Sequence, residues 1–248
     1  MEMKDAIIHL WKKVNRPGVD ELIDYLNTSD FFTAPCSTKY HLAVPGGLAE
    51  HSLNVYTLLR EKVARYGLGT PKETAIICGL GHDLCKVNFY AEGGNPCSEA
   101  QYNYLKSLAF GAAFNRVSLT SKVEFNRLFL SEEGLKRNIP SDQATILIDW
   151  LKNKPQTEIP EFPIAYSYDD KFPYGHGERS VSILQDFIKL TEEEKLAIRW
   201  HMGPFTDGFA YPSISKAYNA ACDKYPLLVL LFTADYEASR FLEAEKHE

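Results

Sequence analysis

Helical periodicity dominates the pattern of hydrophobic and polar positions along the chain. In the stretch "LAEHSLNVYTLLREKVARYG", residues 48–67, apolar side chains recur at the three- and four-residue spacings of one helix face. Thr191 and Glu194 have the spacing of a capping box, which predicts where another helix begins. Comparable patterns predict helices over residues 3–14, 19–29, 71–84, 177–190, 191–203, 212–225 and 226–246.

Two short segments carry a different pattern. Residues 86–96 and 161–175 hold β-branched and aromatic residues in short runs beside turn residues, which predicts two strands that can pair as a ribbon. Between them, residues 97–157 form a mixed polar and apolar helical segment without clustered catalytic residue types, which we interpret as an insertion or a lid. The predicted fold class is therefore all-α, a single domain over residues 1–248 with a small β ribbon.

Several predicted helices direct a histidine or an aspartate towards the protein interior. His51 shares a helix face with Leu48 and Val55, and Asp83 follows Leu80 by three residues on the next apolar face. His82 precedes Asp83 at the end of that helix, where adjacent side chains can converge on one point. The remaining members of this set are His201, four residues after Ala197, and Asp235, in line with Leu228 and Leu231.

A metal centre accounts for this set better than separate structural roles do. A single histidine on an apolar face is usually a hydrogen-bonded core residue, and a single aspartate can cap a neighbouring helix. An unpaired buried carboxylate, however, costs several kcal/mol, whereas one shared divalent cation compensates all these groups together. His176, which lies between two glycines in "YGHGERS", is a further candidate ligand.

Composition limits the classes of partner and compartment. The chain is 45% hydrophobic and 24% charged, as expected of a folded domain, and its net charge of -6 offers no basic surface for duplex nucleic acid. The five cysteines form no C-x-x-C pair, which favours reduced thiols and a cytoplasmic protein. We see no signal peptide, and the run "PLLVLLF" is too short to cross a membrane. The sequence makes no prediction of oligomeric state.

The order of these residues resembles the HD-domain metal-dependent phosphohydrolases. The resemblance consists of His51 within "GGLAEH", the adjacent pair His82–Asp83, and the distant Asp235 within "TADYEAS". It covers most of the chain, from "GGLAEHSLNV" to "FTADYEASRF", and leaves residues 97–157 outside. In the subfamilies with two metal ions, two further histidines lie between the His-Asp pair and the last aspartate. His176 and His201 match those positions.

The resemblance implies a chemistry for each matched residue. Asp83 would bridge two divalent cations, and the ligand set of nitrogen and oxygen atoms without thiolate favours Mn, Fe, Mg, Ni or Co, with zinc left open. Lys86, in the similar "HDxxK" arrangement, would hold a substrate phosphate, although a cation that complements a helix C-terminus is an equally good interpretation. Arg179 and Arg240 are candidates for clamping phosphate, and surface ion pairing is the alternative for Arg240.

The leading hypothesis is therefore hydrolysis of a phosphate ester of a nucleotide or similar small molecule, either a monoester or a cyclic diester. A related alternative is 3′ to 5′ degradation of short single-stranded oligonucleotides, against which the acidic composition counts. A di-iron oxygenase on the same scaffold is another alternative, since His176 and His201 fit that chemistry too. A non-catalytic, regulator-binding module is the last, and it would have no need of six metal ligands.

Overall fold

The computed structural model describes most of the chain, and it is mainly helical with one small two-stranded antiparallel sheet. The predicted fold class, all-α with a small β ribbon, is therefore confirmed. The described residues are 2–38, 40–93, 96–111, 139–153, 166–168 and 173–244, with single positions 114, 117, 121, 122, 125, 158, 159 and 170.

The chain divides into two compact units, and the larger comprises Met1–Tyr90 and Asp169–Glu248. Its α-helices in chain order are α1 (Met3–Trp11), α2 (Val19–Thr28), α3 (Gly47–Tyr66), α4 (Lys72–Gly81), α7 (His176–Gln185), α8 (Glu192–Arg199), α9 (Pro212–Lys224) and α10 (Leu227–Glu237). Short 3₁₀ turns span Leu84–Lys86 and Gly203–Phe205, and a π-helical turn, Ala238–Leu242, follows α10.

The smaller unit is Ala91–Tyr168. It contains α5 (Glu99–Phe110) and α6 (Ser141–Asn153), which pack on each other around a separate apolar cluster that includes Leu105 and Leu147. The strands β1 (Tyr90–Glu92) and β2 (Tyr166–Tyr168) pair with each other, as the sequence predicted. This unit includes residues 97–157, part of which lies outside the described residues, and their role as an insertion or lid in a single domain stays a prediction.

A close contact between α3 and α4 organises the core of the larger unit. Each of these helices buries an apolar face, and α3 also packs against α10. Gly79 on α4 is required at the crossing, because a Cβ atom there would lie 2.5 Å from the Cα atom of Tyr56 on α3. The absence of a side chain at position 79 lets the end of α4 approach the middle of α3.

Helix ends differ from the predictions at two places that carry candidate metal ligands. The predicted helix 71–84 ends at Gly81, so His82 and Asp83 lie in the turn between α4 and the 3₁₀ turn. His176, predicted in a loop ahead of a helix, is instead the first residue of α7, since Gly175 acts as its N-cap. The Thr191–Glu194 capping box is confirmed, with both reciprocal hydrogen bonds formed at the start of α8.

A largely buried ion-pair network links the start of α4 to the start of α8. Arg16 donates hydrogen bonds to both carboxylate oxygens of Glu194 (2.6 and 2.7 Å) and to Glu73 Oε1 (3.0 Å). Thr74 Oγ1 donates to Glu194 Oε1 at 2.8 Å. Because Glu194 is fully buried, this network satisfies a carboxylate that would otherwise be costly to remove from water.

We expect Arg16→Gln to lower the free energy of unfolding by about 3 kcal/mol, since loss of one partner of a buried ion pair leaves the other charge uncompensated. Urea denaturation at neutral pH measures this effect. The matched control is Lys224→Gln, which removes a solvent-exposed ion pair with Glu192 and should leave the midpoint unchanged. An Arg16 variant as stable as the wild type would contradict this role of the network.

The same network predicts a direction for the pH dependence of stability. Burial raises the pKa of Glu194, but hydrogen bonds from Arg16, the Thr191 backbone and Thr74 outweigh it and lower the pKa below its ordinary value of 4.5. The unfolded chain therefore binds the proton first as pH falls. The contribution of Glu194 to the free energy of unfolding is complete above pH 4.5, and it is lost as the pH falls through the lower pKa of the folded state.

Among the helices described, none combines the length and the apolar character that crossing a lipid bilayer requires.

Candidate metal centre

Five segments of the larger unit bring the six predicted metal ligands together. α3 carries His51, the turn after α4 carries His82 and Asp83, and α10 carries Asp235. His176 opens α7, and His201 lies just after the end of α8. The break after Gly81 lets two adjacent side chains turn towards the same point, which continuous helix would separate by about 100°.

Asp83 is the centre of the cluster, because each of its oxygens faces two imidazoles. Its Oδ1 lies 2.9 Å from His176 Nε2 and 3.4 Å from His201 Nε2. Its Oδ2 lies 3.5 Å from His51 Nε2 and 3.6 Å from His82 Nε2. This is the arrangement expected of a carboxylate shared between two ligand groups.

Asp235 is a second carboxylate that contacts His51, in addition to Asp83. Its Oδ1 is 3.3 Å from His51 Nε2, and that nitrogen is itself 3.2 Å from His82 Nε2. Two unprotonated ring nitrogens this close repel each other unless a proton or a cation lies between them. The spacing therefore fits ligands that converge on a cation.

Backbone carbonyls fix the tautomers of two of the histidines. His82 Nδ1 donates to the carbonyl of Gly79 at 2.9 Å, and His201 Nδ1 donates to the carbonyl of Ile198 at 2.7 Å. A carbonyl oxygen only accepts, so each ring carries its proton on Nδ1 and directs the lone pair of Nε2 into the cluster. His201 Nε2 is buried and has no hydrogen-bond partner among the described residues.

Glu243 gives His51 the same orientation. His51 Nδ1 lies 2.9 Å from Glu243 Oε2, and Asn54 Nδ2 donates to the other oxygen of that carboxylate at 3.0 Å. Metal-bound histidines almost always donate their second N–H to an oxygen acceptor of this kind. Three imidazoles of the cluster therefore have the outer hydrogen bonds that are typical of metal ligands.

The charges of the two carboxylates and of His82 suit cation binding. Burial raises the pKa of Asp83, but the Lys86 ammonium and His82 outweigh it and hold the pKa well below its ordinary value. The pKa of Asp235 is lowered despite burial, because its carboxylate lies against the His51 imidazole. Burial lowers the pKa of His82 to about 4, so its imidazole is neutral at physiological pH. Ionised carboxylates and a neutral imidazole are the forms that bind divalent cations.

Burial lowers the pKa values of His51 and His176, but nearby groups outweigh it and raise both values well above the ordinary value. These groups are Cys36 and Asp235 for His51, and Cys85 and Asp83 for His176. The two imidazoles would therefore release a proton when a cation binds.

The residues present therefore fit metal binding. Buried and half-buried histidine, aspartate and cysteine side chains form groups whose ligand atoms all lie within 4.8 Å of one another. Within the described part of the chain, these groups are His51–His82–Asp235, His82–Asp83–His201, Asp83–Cys85–His176 and Cys36–His41–His51.

Sequence reasoning missed four residues that contact the cluster, namely Cys36, His41, Cys85 and Glu243. Glu243 follows the π-helical turn, and because that turn shifts the helical phase, the periodicity of α10 does not mark it. His41 lies in a loop that carries no periodic pattern, with its Nε2 3.3 Å from Cys36 Sγ. Cys85 lies two residues after Asp83, and this short spacing was the available signal. The candidate donors in this part of the chain therefore include thiols as well as nitrogen and oxygen atoms, and the expectation of nitrogen and oxygen donors alone stays a prediction.

The three basic residues that are candidates for phosphate binding lie in different surroundings. Lys86 Nζ is 2.6 Å from Asp83 Oδ2 and 3.3 Å from Cys36 Sγ, so it belongs to the cluster. Arg179 is buried and donates to Asp170 Oδ1 at 2.9 Å. Arg240 is exposed, with its guanidinium 5.4 Å from the ring centroid of Tyr236. The phosphate-binding roles of all three stay predictions.

Comparison with known protein families, with curated proteins and with solved structures gave no match to this chain.

Proposed function

We propose that this protein is an HD-type metal-dependent phosphohydrolase that cleaves a phosphate ester of a nucleotide or a related small molecule. The observation that carries the proposal is the orientation of the three imidazoles of His51, His82 and His201. Each has its Nδ1 atom bonded to an oxygen acceptor and its Nε2 atom directed towards Asp83. Side chains that serve only to fill a core have no need of this common orientation.

Two overlapping ligand sets support a centre for two cations. His51, His82, Asp83 and Asp235 would hold one cation, and Asp83 with His176 and His201 would hold the second. When bound, divalent cations lower the pKa of water and neutralise the oxygens of a phosphate ester during hydrolytic displacement. The sequence order His, His-Asp, His, His, Asp also supports the HD-type assignment.

Lys86 supports a phosphate substrate. Burial lowers the pKa of its ammonium, but the Asp83 carboxylate outweighs this effect and raises the pKa well above its ordinary value, so the group is a fixed positive charge. Its side chain retains 13% exposure. A charged donor at the wall of the centre can bind the non-reacting oxygens of a phosphate.

The net charge of the chain supports a small substrate, and its cysteines support a reducing compartment. The net charge of -6 disfavours long nucleic acids, and we propose a small phosphorylated partner that a few local cations hold. All five cysteines are free thiols, which supports a reducing compartment, and we propose the cytoplasm.

A substrate panel tests the proposal. Nucleotides, cyclic nucleotides and short oligonucleotides should be incubated with the protein and Mn, Mg, Fe, Ni, Co or Zn, while phosphate release, product mass and dioxygen consumption are followed. We expect phosphate or a phosphomonoester from at least one small substrate without dioxygen consumption. Dioxygen-dependent product formation would instead support the oxygenase alternative, and stepwise shortening of oligonucleotides the exonuclease alternative.

Lys86→Ala should lower kcat/KM by roughly 100-fold or more, the cost typical of losing one preorganised donor to a reacting oxyanion. Metal content should equal that of the wild type, because an ammonium is not a metal ligand and its removal takes no donor atom from the centre. Steady-state kinetics and elemental analysis on the same preparation measure both quantities. Lys12→Ala, at an exposed position after α1, is the matched control. Unchanged activity of the Lys86 variant would favour its role at a helix terminus.

A further inference from the structure

Cys85 brings a sulfur atom into the candidate metal centre. Its side chain is buried, and its backbone N–H donates to Ser180 Oγ at 3.0 Å, which fixes the residue against α7. The Sγ atom lies 3.6 Å from His176 Nε2 and 3.9 Å from Asp83 Oδ1. His176 Nε2 and Asp83 Oδ1 are themselves 2.9 Å apart.

The three separations, 2.9, 3.6 and 3.9 Å, span the value expected for ligands of one small cation. Ligands with metal–nitrogen, metal–oxygen and metal–sulfur bonds of about 2.0–2.3 Å lie about 3.4–3.6 Å apart in a tetrahedral site. A circle through Cys85 Sγ, His176 Nε2 and Asp83 Oδ1 has a radius of roughly 2 Å, so one point lies at bonding distance from all three atoms.

A simple hydrogen bond between the thiol and His176 accounts for the contact less well. The Sγ atom is 3.3 Å from Nδ1 and 3.6 Å from Nε2 of the same ring, so it is not directed at one nitrogen alone. The grouping of side chains points the same way, because Asp83, Cys85 and His176 form one of the groups whose ligand atoms all lie within 4.8 Å of one another.

We propose that Cys85 is a ligand of the second cation, together with His176 and Asp83, and that its sulfur makes this position selective for thiophilic divalent cations such as zinc or ferrous iron. This inference rests on the proposed function, because it assigns ligands within the same centre. Thiolate favours these cations over magnesium and manganese, which prefer oxygen donors. The thiol proton is released to the solvent when the cation binds.

Cobalt substitution tests this assignment without a measurement of activity. The metal-free protein is titrated with Co²⁺, bound cobalt is quantified after dialysis, and the near-ultraviolet absorption of thiolate-to-cobalt charge transfer is recorded. We expect this absorption in the wild type and its loss in Cys85→Ser. Cys222→Ser, at a partly exposed position on α9, is the control that should keep it. Zinc affinity should fall more than about 100-fold in Cys85→Ser, beyond the usual loss for an outer hydrogen-bond partner.

The outcomes separate this inference from the proposed function. Bound cobalt without charge-transfer absorption in the wild type overturns the Cys85 assignment and leaves the phosphohydrolase proposal standing. Absorption that persists in Cys85→Ser, or that disappears in Cys36→Ser instead, also overturns it. If the wild type binds no cobalt, manganese or zinc at all, both proposals fail.

X-ray absorption of the zinc-loaded wild type gives a second test that depends on no variant. We expect a sulfur scatterer at about 2.3 Å from part of the bound zinc. A spectrum with nitrogen and oxygen scatterers alone contradicts the assignment, even if Cys85→Ser does not fold.

Discussion

Asp83→Asn is expected to lower phosphohydrolase activity by more than about a thousandfold, because even one preorganised donor contributes 10²–10³ in rate and Asp83 contacts every histidine of the centre. The same variant should retain little or no bound metal, since its neutral amide cannot bridge two cations. Activity on the responsive substrate and elemental analysis after dialysis measure the two effects.

The fold of the Asp83 variant should survive, because an asparagine at this position can still accept and donate hydrogen bonds. Far-ultraviolet circular dichroism and the urea midpoint check this point. Asp24→Asn on α2 is the matched control, an exposed aspartate for which activity and metal content should not change. An Asp83→Asn variant with nearly wild-type turnover would contradict the assignment of Asp83 as a metal ligand.

The double variant His176→Ala/His201→Ala is expected to lower metal content from about two ions per chain towards one and to impair hydrolysis severely. These histidines come from the start of α7 and the end of α8, and their Nε2 atoms meet at one oxygen of Asp83. Their removal should leave His51, His82, Asp83 and Asp235 able to hold one cation. Elemental analysis under metal-replete conditions measures the ratio.

The exposed His9 at the end of α1 provides the control, since His9→Ala should keep both ions. If the wild type holds a single ion under metal-replete conditions, or if the double variant loses none, the second position does not exist. The mechanism would then reduce to that of a single-metal hydrolase.

Periodicity predicted the helical fold and the inward direction of several candidate ligands. The apolar face that placed His51 inward is real, and the capping box correctly marked the start of α8, because both signals are local. Asp83 and His82 also converge as predicted, although the helix ends earlier than expected. Gly79 and Gly81 were visible in the sequence, but the close approach of Tyr56 on α3 and Leu184 on α7 to these glycines is a tertiary contact that local patterns do not show.

Contacts between distant segments could not be predicted from local patterns. Glu243 reaches His51 across 192 positions, and Arg16 reaches Glu194 across 178. Arg179, a basic residue near a candidate ligand, is engaged with Asp170, a contact that local sequence patterns did not indicate, and its role in phosphate binding stays a prediction. Residue type and spacing indicate which groups can bind a cation, whereas the second partner of each group depends on the tertiary structure.

The most direct test of a metal-dependent hydrolase is the source of the oxygen atom in the product. The responsive phosphate ester should be incubated with metal-loaded protein in heavy-oxygen water under argon, and the product should be analysed by mass spectrometry. We predict one heavy oxygen in the phosphate product, and no product when the metal is removed by a chelator. Turnover that persists without metal, or that requires dioxygen, would contradict the account.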